Sequence, residues 1–403
     1  MASELLTFDF SPLALVFLCA SVIAAIAGTL FGLRPLWATS SIPVSGPEVD
    51  GGEDDSAPLP KLSVIVYAFT DLESIPGYLA SLLSQDYPDF EVIVVFSASA
   101  EATATLSEEI ASAPNLYLTF IPPGSHNLSR RKLALTIGMK AAKGEVAIFT
   151  SSNCAIPSDH WLRDMATPFR NPGTDLCLGY THPDLDELSG SSKYYKVMDA
   201  TLSACSWIAA AKGGHPYRGD SNNMAIRRAT FFNHKGFART ISLHTGDDDI
   251  FVREVARKGN TALCLTPGSM LTTHWGLMAD KSMTVRKAQY DFTRYYLPQG
   301  PFLRAGFASV CQWAVLAFAV AGALIGLPSL YPAAVALVTL LCFWATDIML
   351  YRRAAARLEV TRLWWSVPFF MLWRPIGNFI FRLRHRSRRY ANFTWNRHRN
   401  KHV

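Results

Sequence analysis

The sequence predicts an α/β domain with a mostly parallel sheet and transmembrane helices at both of its ends. Half of the 403 residues are hydrophobic and only 17% are charged, a more apolar balance than that of a typical soluble domain. Between the first two long apolar runs, strand-like and helix-like segments alternate, which is typical of a parallel sheet with right-handed crossovers. The length leaves room for one soluble domain of about 200 to 250 residues.

The first apolar run, residues 12–33, is long enough to cross a hydrocarbon core of about 30 Å as a helix. Glu4 and Asp9 precede it and no Lys or Arg does, so a retained anchor is favoured over a cleaved signal peptide, which begins with basic residues. Residues 34–60 are rich in Ser, Pro, Gly and acids and are predicted to be a flexible linker.

Two further apolar runs, 305–326 and 330–351, are predicted to form a transmembrane hairpin with its turn at Pro328. The basic residues beside the three spans are Arg34, Arg352, Arg353, Arg357 and Arg362. By the positive-inside rule they place the central domain in the cytoplasm. The chain is expected to be an integral protein of a bacterial-type cytoplasmic membrane.

Residues 363–403 are predicted to be an interfacial segment followed by a basic tail. Arg374 would be costly in the middle of a fourth span, and Pro375 would interrupt it. The arginines of the tail alternate with Tyr390 and Trp395, as expected of a chain that lies on anionic head groups; a merely solvated tail is the alternative. The formal net charge of +6 is therefore interpreted as favouring a lipid bilayer, and not nucleic acid, as the binding partner of the chain.

The central domain is predicted to cover residues 61–300. Its predicted strands are 62–69, 90–97, 116–121 and 145–150, and its predicted helices are 75–83, 103–111 and 129–143. Ligands of parallel sheets lie beyond the carboxyl ends of the strands, so the site is expected near residues 68–71, 97–99 and 151–154.

Four segments follow one another within residues 61–275. They are LSVIVYAFTDLESIPGYLASLLSQDYPDFEVIVV, LSRRKLALTIGMKAAKGEVAIFTSSNCAIPSDHWL, GDSNNMAIRRATFFNHKGF and HTGDDDIFVREVARKG. This ordered set resembles the family 2 glycosyltransferases. The resemblance implies a membrane-associated, inverting transferase with the GT-A (nucleotide-diphospho-sugar transferase-like) fold and a nucleotide-diphospho sugar as donor.

The sequence departs from the family at two positions. In the family, one strand ends in an acidic residue that holds the nucleotide, where Phe96 and Ser97 stand here. The next site strand ends in a D-x-D that holds a metal ion and the diphosphate, where residues 151–153 read Ser-Ser-Asn. Hydroxyl and amide oxygens bind a hard cation less strongly than carboxylates do, so tight Mg²⁺ or Mn²⁺ binding is not predicted.

Two substitutes for the metal are consistent with the sequence. Arg130, Arg131 and Lys132 at a helix start would neutralise a diphosphate, or His274 would join Asn153 around a weakly held metal. The alternatives are an exposed basic helix start and a structural histidine.

The acidic run Asp247, Asp248 and Asp249 is the clearest chemical feature. By its position in the family, Asp248 is the expected catalytic base, with Asp247 and Asp249 beside it. Inversion needs one carboxylate to take the proton of the acceptor hydroxyl, and crowded carboxylates raise one another's pKa. The alternative is an acidic loop that caps the helix beginning near Ile250.

The resemblance also assigns binding residues. Those for the nucleotide sugar are Ala68, Asp71, Glu73, Ser97, Arg131, Lys132, Ser151 and Asn153, and those for the acceptor are Asn222, Asn223 and Trp275. A plain turn and helix cap is the alternative for Asp71 and Glu73. The family's Q-x-x-R-W pentapeptide is missing, which disfavours a polymerising synthase.

The leading hypothesis is a glycosyltransferase that modifies a lipid-linked or surface-glycan acceptor of the cell envelope. The alternative is a catalytically degenerate relative that keeps the fold and serves as a binding or scaffolding partner of an active transferase. A transporter is disfavoured, because three spans around a large soluble domain offer no repeat.

Overall fold

The structure, a computed structural model, describes residues 11–44, 58–68, 75–97, 113–122, 128–360 and 365–385. The chain divides into two compact units. The helical unit contains the described residues as far as Ser41, together with Met198–Ala209 and Gln299–Arg384. The α/β unit contains Ile42–Val197 and Ala210–Pro298, within the described ranges.

The elements are numbered here in chain order within the described residues. The helices are α1 (Pro12–Ala27), α2 (Arg34–Ser40), α3 (Ile75–Leu83), α4 (Arg130–Ala141), α5 (Trp161–Ala166), α6 (Ser192–Lys212), α7 (Arg228–Asn233), α8 (Ile250–Val255), α9 (Ala279–Thr293), α10 (Gly300–Ile325), α11 (Tyr331–Arg357) and α12 (Val367–His385). The strands are β1 (Leu62–Ala68), β2 (Phe90–Phe96), β3 (Leu116–Phe120), β4 (Val146–Ser151), β5 (Cys154–Ala155), β6 (Leu176–Leu178), β7 (Thr181–Pro183), β8 (Met224–Arg227), β9 (Thr261–Leu263) and β10 (Leu271–Thr273).

The first half of the main sheet is parallel. β1 pairs with β2 on one side and β4 on the other, and β3 extends the sheet beyond β2. The four predicted strands are confirmed to within one residue at each end. Three of them, β1, β2 and β4, are buried along most or all of their length and form nearly continuous apolar runs, whereas β3 is partly exposed at the edge of the sheet. The chain adds β2 and β3 on one side of β1 and then β4 on the other, so the switch point lies at the carboxyl ends of β1 and β4.

The second half of the sheet is mixed. β8 is antiparallel to both β4 and β6, and β9 is parallel to β6, which gives the order β3-β2-β1-β4-β8-β6-β9. A separate small sheet has the order β5-β10-β7. The sequence did not predict these later strands, because runs of two to four residues are too short for a periodic pattern.

The predicted helices 75–83 and 129–143 correspond to α3 and α4, whereas the predicted helix 103–111 lies outside the described residues. A Cβ at Gly138 would stand 2.3 Å from Cγ2 of Ile65, so glycine permits the close approach of α4 to β1. This contact positions the first turn of α4, which carries Arg130 and Arg131.

Within its described residues, the helical unit has three helices that are long and apolar enough to cross a membrane: Pro12–Gly32, Gly300–Ile325 and Tyr331–Arg357. The first is α1 with a π-helical turn at Gly28–Gly32. They overlap the three predicted spans. The turn predicted at Pro328 lies between α10 and α11.

Two details of this unit differ from the sequence predictions. The predicted linker 34–60 begins as helix α2, in which Leu36 and Thr39 are buried. The segment from residue 363 was expected to be interrupted by proline, but α12 continues through Pro375. A proline removes one backbone hydrogen bond from a helix, and its φ stays compatible with helical geometry.

Candidate functional site

The acidic run lies in the loop that leads into α8. Gly246 has a φ of 102°, a value that side-chain-bearing residues rarely adopt, and a Cβ there would stand 2.9 Å from Cδ1 of Ile250. The turn brings Asp247, Asp248 and Asp249 into the interior, where each is at most 7% exposed. Three adjacent buried carboxyl groups need distinct partners, and the structure supplies a different set to each.

Asp249 is a structural residue. Its Oδ1 accepts a hydrogen bond of 2.6 Å from the N–H of Ile250 at the start of α8, and its Oδ2 accepts one from the hydroxyl of Thr293 on α9. Arg218 Nη2 lies 3.5 Å from the same Oδ2. Burial raises the pKa of Asp249, and Arg218 and Thr293 act against that rise. The helix-capping alternative of the sequence analysis therefore describes Asp249.

Asp247 is an ion-paired residue. Its Oδ2 lies 2.9 Å from Nε of Arg131, which also donates through Nη2 to the side-chain oxygen of Asn222 at 2.6 Å. Burial acts to raise the pKa of Asp247, but Arg131 and Lys132 hold it below its ordinary value. The guanidinium of Arg131 also lies over the ring of Tyr67, 5.6 Å from its centroid. Arg131 thus connects the end of β1 with the acidic run and the loop before β8.

Asp248 differs from its neighbours. Its Oδ2 accepts a hydrogen bond of 2.9 Å from the hydroxyl of Tyr290. Burial, followed by the charges of Asp249 and Asp247, raises the pKa of Asp248 to about 8, with Arg286 and Arg218 acting in the opposite direction. A carboxyl group with a pKa near the working pH can take up a proton in one step and release it afterwards, as general base catalysis requires.

Helix α9 supplies one face to this cluster. Arg286, Tyr290 and Thr293 follow the spacing of i, i+4 and i+7, which places them on the same side of a helix. Arg286 Nη2 lies 2.9 Å from Oδ2 of Asp220, and Nε donates to the hydroxyl of Tyr290 at 3.1 Å. The sequence analysis did not assign Arg286 or Arg218 to the site. The spacing of Arg286 with Tyr290 and Thr293 along one helix could have indicated Arg286.

Among the described residues of this cluster, carboxylates and cations are equal in number. Four acids, Asp220, Asp247, Asp248 and Asp249, stand with four cations, Arg131, Lys132, Arg218 and Arg286. A protonated Asp248 leaves the cluster with a net positive charge, which suits an anionic ligand.

The strand ends expected to bind a nucleotide have well-defined contacts. Ser97, directly after β2, accepts two hydrogen bonds from Arg130, one at its hydroxyl (2.9 Å) and one at its carbonyl (2.6 Å). Ser151 is fully buried at the end of β4 and donates to the carbonyl of Tyr67 at 3.1 Å. Ala68 is buried, and its carbonyl accepts from the N–H of Ser97. Of these residues, the exposed Arg130 presents a charge.

Two predicted binding residues are engaged inside the fold. Lys132 is buried, and its ammonium donates to the carbonyls of Thr240 and Thr245 at 2.7 Å each, which fixes the loop ahead of the acidic run. Burial lowers its pKa to about 8. Asn223 is fully buried and holds three partners, the indole N–H of Trp161 and the carbonyls of Tyr180 and Ser269. The structure thus brings Asn222 to the cluster, while it gives Lys132 and Asn223 structural contacts.

The position of the family's D-x-D does not fit a divalent cation. Ser151 uses its hydroxyl for a backbone carbonyl, Ser152 is 6% exposed, and the sequence 151–153 offers no carboxylate. Among the predicted site residues, Asp71 and Glu73 lie outside the described residues.

His274 and Asn153 are joined by a backbone hydrogen bond, in which the N–H of His274 donates to the carbonyl of Asn153 at 2.7 Å. Its ring points elsewhere: Nδ1 lies 3.2 Å from Asp184 and 3.3 Å from Glu187. The ligand atoms of these three side chains all lie within 4.8 Å of one another. Glu187 also accepts from the N–H of Trp275 at 2.6 Å, which places that predicted acceptor residue at the same edge of the small sheet.

Comparison with known proteins agrees with the sequence resemblance. Residues 63–232 match the family model described as glycosyl transferase family 2. Glycosyltransferase AglE of Haloferax volcanii is 26% identical over 132 residues, which are 31% of this chain and 42% of that protein. The match therefore spans less than half of the relative's length.

Two solved structures are also similar to this chain. Mannosyltransferase PcManGT of Pyrobaculum calidifontis, solved with GDP-Man and Mn²⁺, is 19% identical with a TM-score of 0.49, and the match covers 90% of this chain and 99% of that one. TarS of S. aureus, residues 1–349 with UDP-GlcNAc, is 15% identical with a TM-score of 0.39, over 79% of this chain and 92% of that one.

Proposed function

We propose that the chain is a membrane-bound glycosyltransferase, because residues 63–232 match the family model of glycosyl transferase family 2. It moves a sugar from a nucleotide-diphospho donor to a lipid-linked or surface-glycan acceptor, with inversion at the sugar carbon. The observation that carries this proposal is the raised pKa of Asp248 within a buried cluster whose other carboxylates have separate partners.

In the proposed reaction, the acceptor hydroxyl attacks the anomeric carbon while Asp248 takes its proton. The bond from that carbon to the diphosphate oxygen breaks, and the nucleoside diphosphate leaves with the electron pair. Tyr290, which donates to Asp248, orients the carboxyl group. The displacement occurs from the face opposite the leaving group, which is why it inverts the configuration.

The donor's diphosphate is proposed to be neutralised by arginines. Arg130 projects beside the end of β2, and Arg131 connects the end of β1 with Asp247. Nε and Nη2 of both arginines donate within the protein, so their Nη1 groups would donate to the phosphate oxygens, and such contacts need no carboxylate ligands. This arrangement is consistent with the Ser-Ser-Asn sequence at residues 151–153.

The proposed setting is the cytoplasmic leaflet. Three helices are long and apolar enough to cross a membrane, and Arg34, Arg352 and Arg353 flank them. The positive-inside rule then places the α/β unit in the cytoplasm, where nucleotide sugars are made available. A lipid-linked acceptor would reach it from the same membrane.

Donor binding without metal is the first expected result. Calorimetric titration of the detergent-purified chain with UDP, GDP and dTDP should give saturable binding to one of them, with a Kd that Mn²⁺ changes by less than about threefold. The variant Asn153→Asp restores one carboxylate at the D-x-D position, and Asn233→Asp, at an exposed site, is the matched control for added charge.

Two other outcomes would replace this proposal. If the native chain binds no nucleotide and Asn153→Asp gains Mn²⁺-dependent binding, the donor site has decayed and the chain is the scaffolding partner of an active transferase. If native binding requires Mn²⁺ and Glu187→Gln abolishes that Mn²⁺-dependent binding, the cation is held by the cluster of Asp184, Glu187 and His274, and the arginine-based site is wrong.

The pH profile provides a second expected result. A catalytic base must be ionised, so kcat/KM for transfer should rise with pH to a midpoint near 8 and then level off, following the pKa of Asp248. A rate that is already constant from pH 5 upward would contradict the assignment, since an ordinary aspartate is ionised throughout that range. The comparison requires a substrate concentration far below KM, at which the profile reports the free enzyme.

A further inference from the structure

The helical unit contains a cavity of about 620 Å³, counted with the space at its mouth. Every residue that lines it belongs to this unit. Ten of the fifteen lining residues are apolar or glycine, including Leu33 just before α2 and Leu36 within it, Ala305 and Ala308 on α10, and Met371 on α12. A ligand that fills this space needs a substantial apolar portion.

Two arginines line the same cavity. Arg374 on α12 forms an ion pair through Nε with Asp199 at 2.7 Å. Arg304, in the second turn of α10, has no ion-pair partner within the described part of the chain. Among the described residues that line the cavity two are arginines and none is acidic, and the carboxylate of Asp199 pairs with one of the two, so the lining has an excess of positive charge beside its apolar walls. An anion with an apolar chain matches both features.

The wall of the cavity also has an unpaired polar group. Gln312 is 3% exposed and lies two turns beyond Arg304, about 12 Å farther along α10. Its Nε2 donates to Asp347 at 2.5 Å, but its Oε1 has no hydrogen-bond partner among the described residues. Buried amide oxygens are normally satisfied, so this oxygen adds one polar atom to an otherwise largely apolar wall.

The place of the cavity along the chain indicates the class of ligand. It lies where the apolar helix α1 with its π-helical turn ends, at Gly32, and where the apolar helix α10 begins, near Pro301. In a membrane, the ends of apolar spans coincide with the layer of lipid head groups. The N-terminal end of α10 adds a partial positive charge there.

We propose that this cavity binds the phosphate group of an anionic lipid, with Arg304 and Arg374 on the phosphate oxygens and the lipid chain against the apolar helices. The terminal nitrogens of Arg374 are suited to this contact, because the ion pair with Asp199 uses its Nε. The inference depends on the proposed membrane placement and does not depend on sugar transfer.

The test measures lipid binding by the full chain in a neutral detergent, using native mass spectrometry to count bound molecules. Phosphatidic acid is expected to saturate one site. Phosphatidylcholine with the same acyl chains, and inorganic phosphate, should each bind at least about tenfold more weakly. Arg304→Gln should weaken phosphatidic acid binding by about tenfold or more, as expected when a charge-assisted hydrogen bond to a phosphate is lost.

Two further variants complete the test. Arg384→Gln removes the same charge from an exposed position of α12 outside the cavity and should keep the native affinity within twofold. Arg374→Gln combined with Asp199→Asn removes both members of the ion pair, leaves no carboxylate alone, and should match the loss in Arg304→Gln.

Three results would overturn the proposal: native affinity in Arg304→Gln, an equal loss in Arg384→Gln, or inorganic phosphate binding as tightly as the lipid. Arg304 forms no ion pair with another described residue, so its variant is expected to fold, and a melting temperature close to the native value would confirm this. Nucleotide binding measured in parallel separates the lipid site from the donor site.

Discussion

Replacement of Asp248 by Asn is expected to lower kcat/KM for sugar transfer by about 10²–10⁴-fold, the usual contribution of a general base. The amide has nearly the shape of the protonated carboxyl group and still accepts the hydrogen bond of Tyr290. Since the pKa of Asp248 is about 8, the group is mostly protonated at pH 7, and the change to a neutral amide leaves the charge of the cluster nearly unaltered. Nucleotide affinity should therefore stay within about twofold of native.

Thermal stability separates a catalytic role of Asp248 from a structural one. Burial and the charges of Asp249 and Asp247 disfavour the ionised form, so this group lowers stability as pH rises from its ordinary pKa toward 8. Asp248→Asn should accordingly melt at or above the native temperature at pH 8. The control is Asp86→Asn, which affects an exposed ion pair with Arg163 and should leave activity unchanged. An Asp248→Asn variant that transfers sugar at more than a tenth of the native rate would exclude Asp248 as the base.

The second large effect is expected from Asp249→Ala, which should destabilise the α/β unit by about 3–5 kcal/mol, the usual cost of removing one member of a buried ion pair. The variant leaves Arg218 without its carboxylate and removes the acceptor of two hydrogen bonds, from the N–H of Ile250 and the hydroxyl of Thr293. For a unit of this size the apparent melting temperature should fall by roughly 10 °C.

The melting curve of Asp249→Ala is to be compared with that of Asp86→Asn, for which a change of less than about 2 °C is expected. Asp249→Asn provides an intermediate case, since one amide oxygen can still accept a hydrogen bond from Thr293 or Ile250. A melting temperature of Asp249→Ala within 2 °C of native would mean that the ion pair with Arg218 and the link to α9 contribute little, contrary to the structural role assigned to Asp249.

The parallel half of the fold was predictable because each of its strands contains its own signal. β1, β2 and β4 are runs of six or seven residues dominated by branched and aromatic side chains and buried along most or all of their length, so the pattern is visible without any knowledge of neighbours. β6 and β9 have three residues each, and they become strands by pairing with segments that are distant in the chain. A local pattern does not contain that information.

The candidate site likewise has some features that the sequence predicts and others that it does not. The position of Asp247–Asp249 and the absence of carboxylates at 151–153 were evident from the sequence. The family resemblance named Asp248 as the base, but the partners of the aspartates were not evident, because Arg131 lies 116 residues from Asp247 in the chain and Tyr290 lies 42 residues from Asp248. The assignment of Lys132 to the nucleotide was a reasonable inference from its charge, whereas its burial against two carbonyls depends on the path of residues 240–245.

The sequence by itself determined the kind of molecule: apolar helices at both ends, a mostly parallel α/β domain between them, and an acidic run where the family places its base. These features depend on residue composition, on hydrophobic periodicity and on the order of the segments, which can all be read along the chain. Only the tertiary structure decided which aspartate holds a proton near neutral pH, and that Arg304 and Arg374 share a cavity. Both results depend on burial, ion pairing and the distances between charged groups. Folding establishes these by bringing together residues that are far apart in the sequence.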